Sequence, residues 1–178
     1  MNIAVMASGS GSNFENLYHK LPPEDNIIIL VYNKENCGAV KRANRLGIPS
    51  VYMKSKDEHL LVEYLKAIKI DLVVLAGYMR IIGDDLLQAY PNKIINIHPS
   101  LLPKYKGLNA IQQALDAKEE FAGATVHWVT KEMDEGPIIL QDKVKIDDDD
   151  SVETLTEKIH KLEYKLLPKA LEYVIHQI

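Results

Sequence analysis

The sequence predicts an α/β protein: a three-layer, doubly wound fold with a mostly parallel sheet and antiparallel strands added near its C-terminal end. Three observations carry this expectation. Apolar runs at residues 2–7, 26–32, 72–76 and 94–97 show no polar alternation, the pattern of strands buried on both faces. Helical segments separate these runs, and parallel strands need such crossovers. After Gly123 the rhythm changes. Two strand-like runs follow, split only by "TKEMDEGP", which is too short for a crossover helix.

Each element follows in order. "NIAVMA" at 2–7 is bounded by glycine and reads as the first central strand; residues 12–18 form the next helix. "NIIILVY" at 26–32 is a second strand, residues 37–46 a helix closed by Gly47, and 48–52 a short strand. Residues 57–68 are helical, with Leu60, Leu61, Tyr64, Leu65 and Ile68 at apolar positions. "LVVLA" at 72–76 returns to the buried-strand pattern, followed by a short helix at 83–89, a strand at 94–97 and a helix at 109–117. Residues 124–129 and 138–144 form a loop-linked or antiparallel pair. The acidic run 147–150 reads as a solvated loop, with Asp150 or Ser151 capping a last helix that runs to about Ile175. Its apolar stripe is Leu155, Ile159, Leu162 and Leu166, and Pro168 is expected to bend or break it.

The 178 residues suit a single domain, 1–178, with a sizeable core. Apolar residues make up 47% and charged residues 26%, as in folded globular chains. A formal charge of -4, with no basic tract, argues against nucleic acid and membrane surfaces as partners. Cys37 is the only cysteine, which excludes a disulfide scaffold and a thiolate metal cluster. No signal-peptide pattern opens the chain and no run is long enough to span a bilayer, so a cytoplasmic location is expected.

Candidate chemistry sits at strand ends. "ASGSGSNFENL" leads from the first strand into a helix, and Gly9 and Gly11 permit a tight turn. Gly11, Ser12 and Asn13 then offer N–H groups at a helix start, which favour an anion. Phe14 stands where a dinucleotide fingerprint needs glycine, and no "GK[ST]" follows. A phosphate-bearing ligand is preferred to a plain capped turn. In "INIHPSLLP", Asn96 and His98 share one side of an extended segment, and Pro99 and Pro103 stiffen the turn after it. A histidine can pass a proton near neutral pH, and an asparagine amide can donate to an oxygen gaining charge. The pair suits acyl transfer without a covalent nucleophile. Ser100 lacks a nucleophile-elbow context and more simply bonds within the turn.

Asp134 lies in "KEMDEGPII" beside Glu132 and Glu135, so a solvated tip competes with a carboxylate folded toward His98. In that second reading it would support the protonated imidazole and raise its pKa, or order a water. His127 is assigned a structural or peripheral role. Arg80 is a surface ion-pairing residue or a ligand orienter, beside a wall of Met79, Ile81 and Ile82. Glu163 faces inward and can accept from a sugar hydroxyl. No histidine–acid cluster suits catalytic zinc, and no metal is expected.

The blocks "GSGSNFE", "LAGYMRII", "NIHPSLLPKYKG" and "TVHWVTKEMDEGPII", in this order and spacing, resemble the phosphoribosylglycinamide formyltransferase family, folate-dependent enzymes of purine synthesis. The resemblance covers nearly the whole chain. It implies a formyltransferase-like, Rossmann-type fold and formyl transfer from 10-formyltetrahydrofolate, as co-substrate, to the amine of glycinamide ribonucleotide. It further implies catalytic roles for Asn96, His98 and Asp134, a phosphate loop of Gly11, Ser12 and Asn13, and a ribose contact at Glu163. Met79, Arg80, Ile81, Ile82 and Asn96 match the folate side. Lys54, or nearby Lys56, stands where members often carry an arginine, and lysine lacks that planar fork. Tyr164 stands where histidine is frequent. The family implies small-molecule partners and a monomer or homodimer. Formyl transfer to another amine acceptor, formyltetrahydrofolate hydrolysis and noncatalytic folate or nucleotide binding are the alternatives.

Overall fold

The computed structural model describes residues 1–177. Its elements alternate as the apolar runs predict: β1 (Asn2–Ala7), α1 (Ser12–Lys20), β2 (Asn26–Tyr32), α2 (Gly38–Leu46), β3 (Ser50–Tyr52), α3 (His59–Ala67), β4 (Leu72–Leu75) and α4 (Asp84–Ala89). They continue as β5 (Ile94–His98), α5 (Ala110–Asp116), β6 (Phe121–Trp128), β7 (Ile138–Lys145) and α6 (Val152–Ile175). The strands form a mixed sheet in the order β3-β2-β1-β4-β5-β6-β7.

The chain divides into two compact units, Met1–Asn96 and Ile97–Ile178. In the first, β1 pairs in parallel with β2 and β4, β2 with β3, and β4 with β5. The path runs outward from β1 to β3, then returns to β4 and β5. Right-handed crossovers therefore put α1 and α2 on one face and α3 and α4 on the other. The helices pack accordingly, α1 on α2 and α3 on α4. Every residue of β4 is buried, as are five of six in β1. Glu58 is buried and serves another helix: its carboxylate accepts from the N–H groups of Gly83 at 2.9 Å and Leu86 at 3.3 Å, at the α4 N-terminus.

In the second unit β6 and β7 pair antiparallel, and α6 packs on both. Several element ends shift by one to three residues, and Pro168 does not end its helix. Strand β6 begins at Phe121, and Gly123 lies within it. A Cβ there would lie 2.2 Å from the Asp142 carbonyl oxygen and 2.5 Å from Leu101, so only glycine lets β7 and the 101 side chain approach. Strand β5 extends to include His98. Helix α6 runs for 24 residues through Pro168 without breaking. The proline removes one intrahelical bond, while Leu166, Leu167, Ala170 and Leu171 beside it are buried and hold the path.

The acidic run is only partly solvated. Ser151 and Thr154 form a reciprocal capping box at the start of α6. Asp150 accepts from Lys158, from the Asp147 N–H and from Thr154 Oγ1, and these bonds hold its carboxyl down to about 2.

Candidate active site

In the first unit, the glycine loop is laid on the start of α2. Gly11 precedes α1 in the left-handed region, φ 74°, and a Cβ there would lie 2.4 Å from Ala39 Cα. Glycine answers both constraints at once. The Ala39 N–H donates to the Gly9 carbonyl at 3.0 Å, and Arg42 Nε donates to the Ser10 carbonyl at 2.8 Å. Two successive loop carbonyls are thus taken up by α2. A Cβ on Gly38 would lie 2.5 Å from the Ser10 oxygen. Glu15, in the first turn of α1, would oppose an anion, but Arg42 and Arg45 both pair with it. Ser12 opens the helix and Asn13 follows, both half-buried. The arrangement is one of backbone donors, with local acid neutralised.

The strand ends of the same unit are tied by Ser8. Its N–H donates to the Gly77 carbonyl at 3.0 Å, and its hydroxyl accepts from the Met79 N–H at 2.7 Å and bonds to the Asn33 side chain. This fixes the segment that carries Met79, Arg80, Ile81 and Ile82. Arg80 Nη1 donates to the carbonyls of Met53 at 3.2 Å and Ser55 at 2.7 Å, bracketing exposed Lys54. Ile82 is buried, whereas Met79 and Ile81 are 69% and 68% exposed, two large apolar side chains presented to solvent. Asn96, on β5, is half-buried.

In the second unit the polar side chains converge. His98 Nε2 lies 2.8 Å from the Tyr105 carbonyl oxygen, and its Nδ1 lies 3.4 Å from Asp134 Oδ2. A carbonyl only accepts, so Nε2 carries a proton. The carboxylate also only accepts, so both contacts are satisfied when the ring carries two protons. Asp134 sits in the left-handed region, φ 55°, with a side chain only 9% exposed. Its Oδ2 accepts from the Gly107 N–H at 2.8 Å, and Oδ1 lies 3.5 Å from His127 Nε2. Burial raises the Asp134 pKa, but hydrogen bonds from His127 and Gly107 and the charge of His98 outweigh it and hold the carboxyl below its usual range. Glu132 and Glu135 do stand in solvent; Asp134 does not.

The loop geometry explains that inward turn. A Cβ on Gly136 would lie 1.7 Å from the Trp128 carbonyl oxygen, and the Trp128 N–H donates to the Pro137 carbonyl at 2.9 Å. The 129–136 loop is therefore closed tightly on the end of β6. On the other side of His98, the turn is pinned to β6 and β7. Fully buried Thr125 donates to the Ser100 carbonyl at 2.7 Å and accepts from the Leu102 N–H at 3.2 Å, while Gln141 donates to Thr125 at 2.8 Å. Ser100 donates to the Lys104 carbonyl at 2.7 Å, as expected of a residue bonding within the turn. Glu163 is buried on the same face of α6 as Ile159 and Leu166.

Of the structural or peripheral role expected for His127, the structure excludes the peripheral one: it is buried 3.5 Å from Asp134. The signal was its register: His127 lies two residues from Thr125, so both face the same side of β6. Local sequence does not single out Ser8 and Arg42, whose contacts join segments far apart in the chain, or Tyr105, which meets His98 through its main chain.

The chain is similar to known proteins along nearly its whole length. The formyl transferase family matches residues 1–171. Phosphoribosylglycinamide formyltransferase of Bacillus subtilis (strain 168) is 44% identical over 97% of this chain and 93% of its own length. The crystal structure of phosphoribosylglycinamide formyltransferase from Bacillus halodurans superposes with a TM-score of 0.92 at 41% identity, covering 98% of this chain and 95% of that one. The trifunctional purine biosynthetic protein adenosine-3 of Drosophila melanogaster is 37% identical over 98% of this chain, which spans 14% of that longer protein. A family match across both units, with full-length relatives well above 30% identity, establishes that the chain belongs to the formyl transferase family.

Proposed function

We propose that the protein transfers the formyl group of 10-formyltetrahydrofolate to the amine of N1-(5-phospho-D-ribosyl)glycinamide, giving the N2-formyl product and tetrahydrofolate, in de novo purine synthesis. The observation that carries this reading is the His98–Asp134 pair, 3.4 Å apart, on a strand that also bears Asn96. The full-length likeness to phosphoribosylglycinamide formyltransferases supplies the substrates.

As the substrate amine attacks the formyl carbon, Asn96 donates to the formyl oxygen and the His98 ring, held beside Asp134, stabilises the developing oxyanion. A new C–N bond forms, the bond to the folate nitrogen breaks, and the amine proton passes to that departing nitrogen. Asp134 keeps the His98 ring oriented, with His127 and the Gly107 N–H fixing the carboxylate in turn. Gly11, Ser12 and Asn13 hold the substrate phosphate, and Glu163 accepts from the ribose. Exposed Met79 and Ile81 suit the flat face of a folate, with Arg80, Ile82 and Lys54 completing that wall. No step requires a metal. Residues 1–178 are read as one formyltransferase domain, because the family match runs through both units.

The test mixes purified protein with both substrates and follows tetrahydrofolate and the formylated ribonucleotide together. Equal yields, reduced about 10²- to 10⁴-fold in His98→Ala, are expected. Folate release without the second product would replace this reading with hydrolysis. Activity only with a different amine would replace the acceptor.

A further inference from the structure

We propose that Glu119 is a positioning residue for His98, acting through Tyr105. The inference rests on the reading of His98 as catalytic. The His98 Nε2 proton is received by the Tyr105 main-chain carbonyl at 2.8 Å, so the ring is only as well placed as that carbonyl. Tyr105 sits in the left-handed region, φ 55°, a conformation that bulky side chains rarely adopt and that persists only when the surroundings enforce it.

Glu119 supplies that enforcement. The Tyr105 hydroxyl donates to Glu119 Oε1 at 2.7 Å, and Lys104 Nζ donates to the same oxygen at 2.9 Å. One carboxylate therefore holds two successive side chains of the turn. The backbone of Glu119 is itself fixed. At the end of α5, Lys118 is left-handed, φ 53°; its N–H donates to the Leu115 carbonyl at 3.0 Å, and the Glu119 N–H donates to the Ala114 carbonyl at 3.2 Å. These are the two bonds of a Schellman motif, a rigid helix stop. From helix end to His98 the line is continuous: Glu119 carboxylate, Tyr105 ring, Tyr105 carbonyl, imidazole.

The protonation states agree with these directions. The bond to Glu119 pushes the Tyr105 hydroxyl up, and Lys104 and Tyr105 push the Glu119 carboxyl down, so near neutral pH tyrosine donates and the carboxylate accepts. A cavity of about 510 Å³, lined in part by Tyr105, Glu119 and Phe121, adjoins the pair. With that space alongside, packing does not replace the hydrogen bond when it is lost, and the tyrosine ring is free to swing.

Three variants test the proposal. Glu119→Ala and Tyr105→Phe are each expected to lower kcat about tenfold while leaving both KM values within about twofold, because a misplaced catalytic ring weakens transition-state contacts more than ground-state binding. The double variant should be no worse than either single one, since both cut the same link. Glu119→Gln keeps an acceptor for the tyrosine hydroxyl and should recover most of kcat. In ¹⁵N-histidine-labelled protein, the His98 Nε2–H signal should move and exchange faster in Glu119→Ala but not in Glu119→Gln. An unchanged kcat and Nε2–H signal in Glu119→Ala, with only thermal stability lowered, would overturn the proposal, as would an additive double variant. The proton signal needs no turnover, so a wild type that fails to formylate glycinamide ribonucleotide would sink the proposed function while the link to Tyr105 remained measurable.

Discussion

The two units make their functional groups in opposite ways. Residues Met1–Asn96 offer mainly backbone: a glycine loop whose carbonyls at Gly9 and Ser10 are taken up by α2. The unit from Ile97 onward offers side chains, with His98, Asp134 and His127 joined around one buried carboxylate. The proposed reaction accounts for the division. A phosphate keeps its charge throughout the reaction, and fixed N–H dipoles suit a charge that does not change. An oxygen that gains charge only in the transition state needs a group whose proton can strengthen its bond at that moment. Substitutions in the glycine loop should therefore act on KM for the phosphorylated acceptor, and those around the Asp134 carboxylate on kcat.

The largest expected effect is Asp134→Asn. Loss of the charge beside His98 should lower kcat about 10²- to 10⁴-fold with little change in the acceptor KM. A variant that raised KM alone would break the division. Next, Gly38→Ala would drive a methyl group into the Ser10 carbonyl, 2.5 Å away, and shift the loop. The acceptor KM should rise about tenfold or more, with the KM for formyl folate unchanged; steady-state kinetics with each substrate varied separates the two. The dephosphorylated acceptor should lose nothing, because it never used the loop.

Gly123→Ala should act on neither constant first. Its Cβ would lie 2.2 Å from the Asp142 carbonyl, so β6 and β7 must part, at about 1–3 kcal/mol of stability by denaturant unfolding. An unaltered unfolding midpoint would show that the hairpin gives way freely. The smallest effect is at Asp150. Its carboxyl is held down to about 2, below the ordinary value of about 3.9. A lowered folded value adds stability above the ordinary pKa and loses it as pH falls through the folded one. The melting-temperature gap between wild type and Asp150→Asn should be steady from pH 7 to 5 and close between about pH 4 and 2. A gap that persisted at pH 2 would point to packing rather than charge.

Much of this was legible in residue order. Buried strands declare themselves by unbroken apolar runs, and α6 by its stripe and its Ser151 cap. The short 130–137 connection foretold the antiparallel pair. Errors fell where one residue answers to a distant neighbour. The strand was expected to begin only after Gly123, yet Gly123 lies within it, in a place set by Asp142 and Leu101. Pro168 reads as a bend or a break, and the buried residues around it exclude the break.

The candidate site divides the same way. Residue type and spacing along one strand were enough to single out Asn96 and His98, because alternation is a local property of extended chain. Local sequence leaves Asp134 open between solvent and site. Its inward turn depends on Gly136 passing close to the Trp128 carbonyl and on donors from Gly107 and His127. The Tyr105 carbonyl under His98 has no sequence signal at all, since every residue has one. Sequence by itself determined the alternation of elements, the glycine loop and the chemistry available at the end of β5. Tertiary structure alone decided which carbonyl, carboxylate and second imidazole meet that chemistry. Propensity and periodicity act over a few residues, whereas the geometry of a reacting group depends on contacts across the fold.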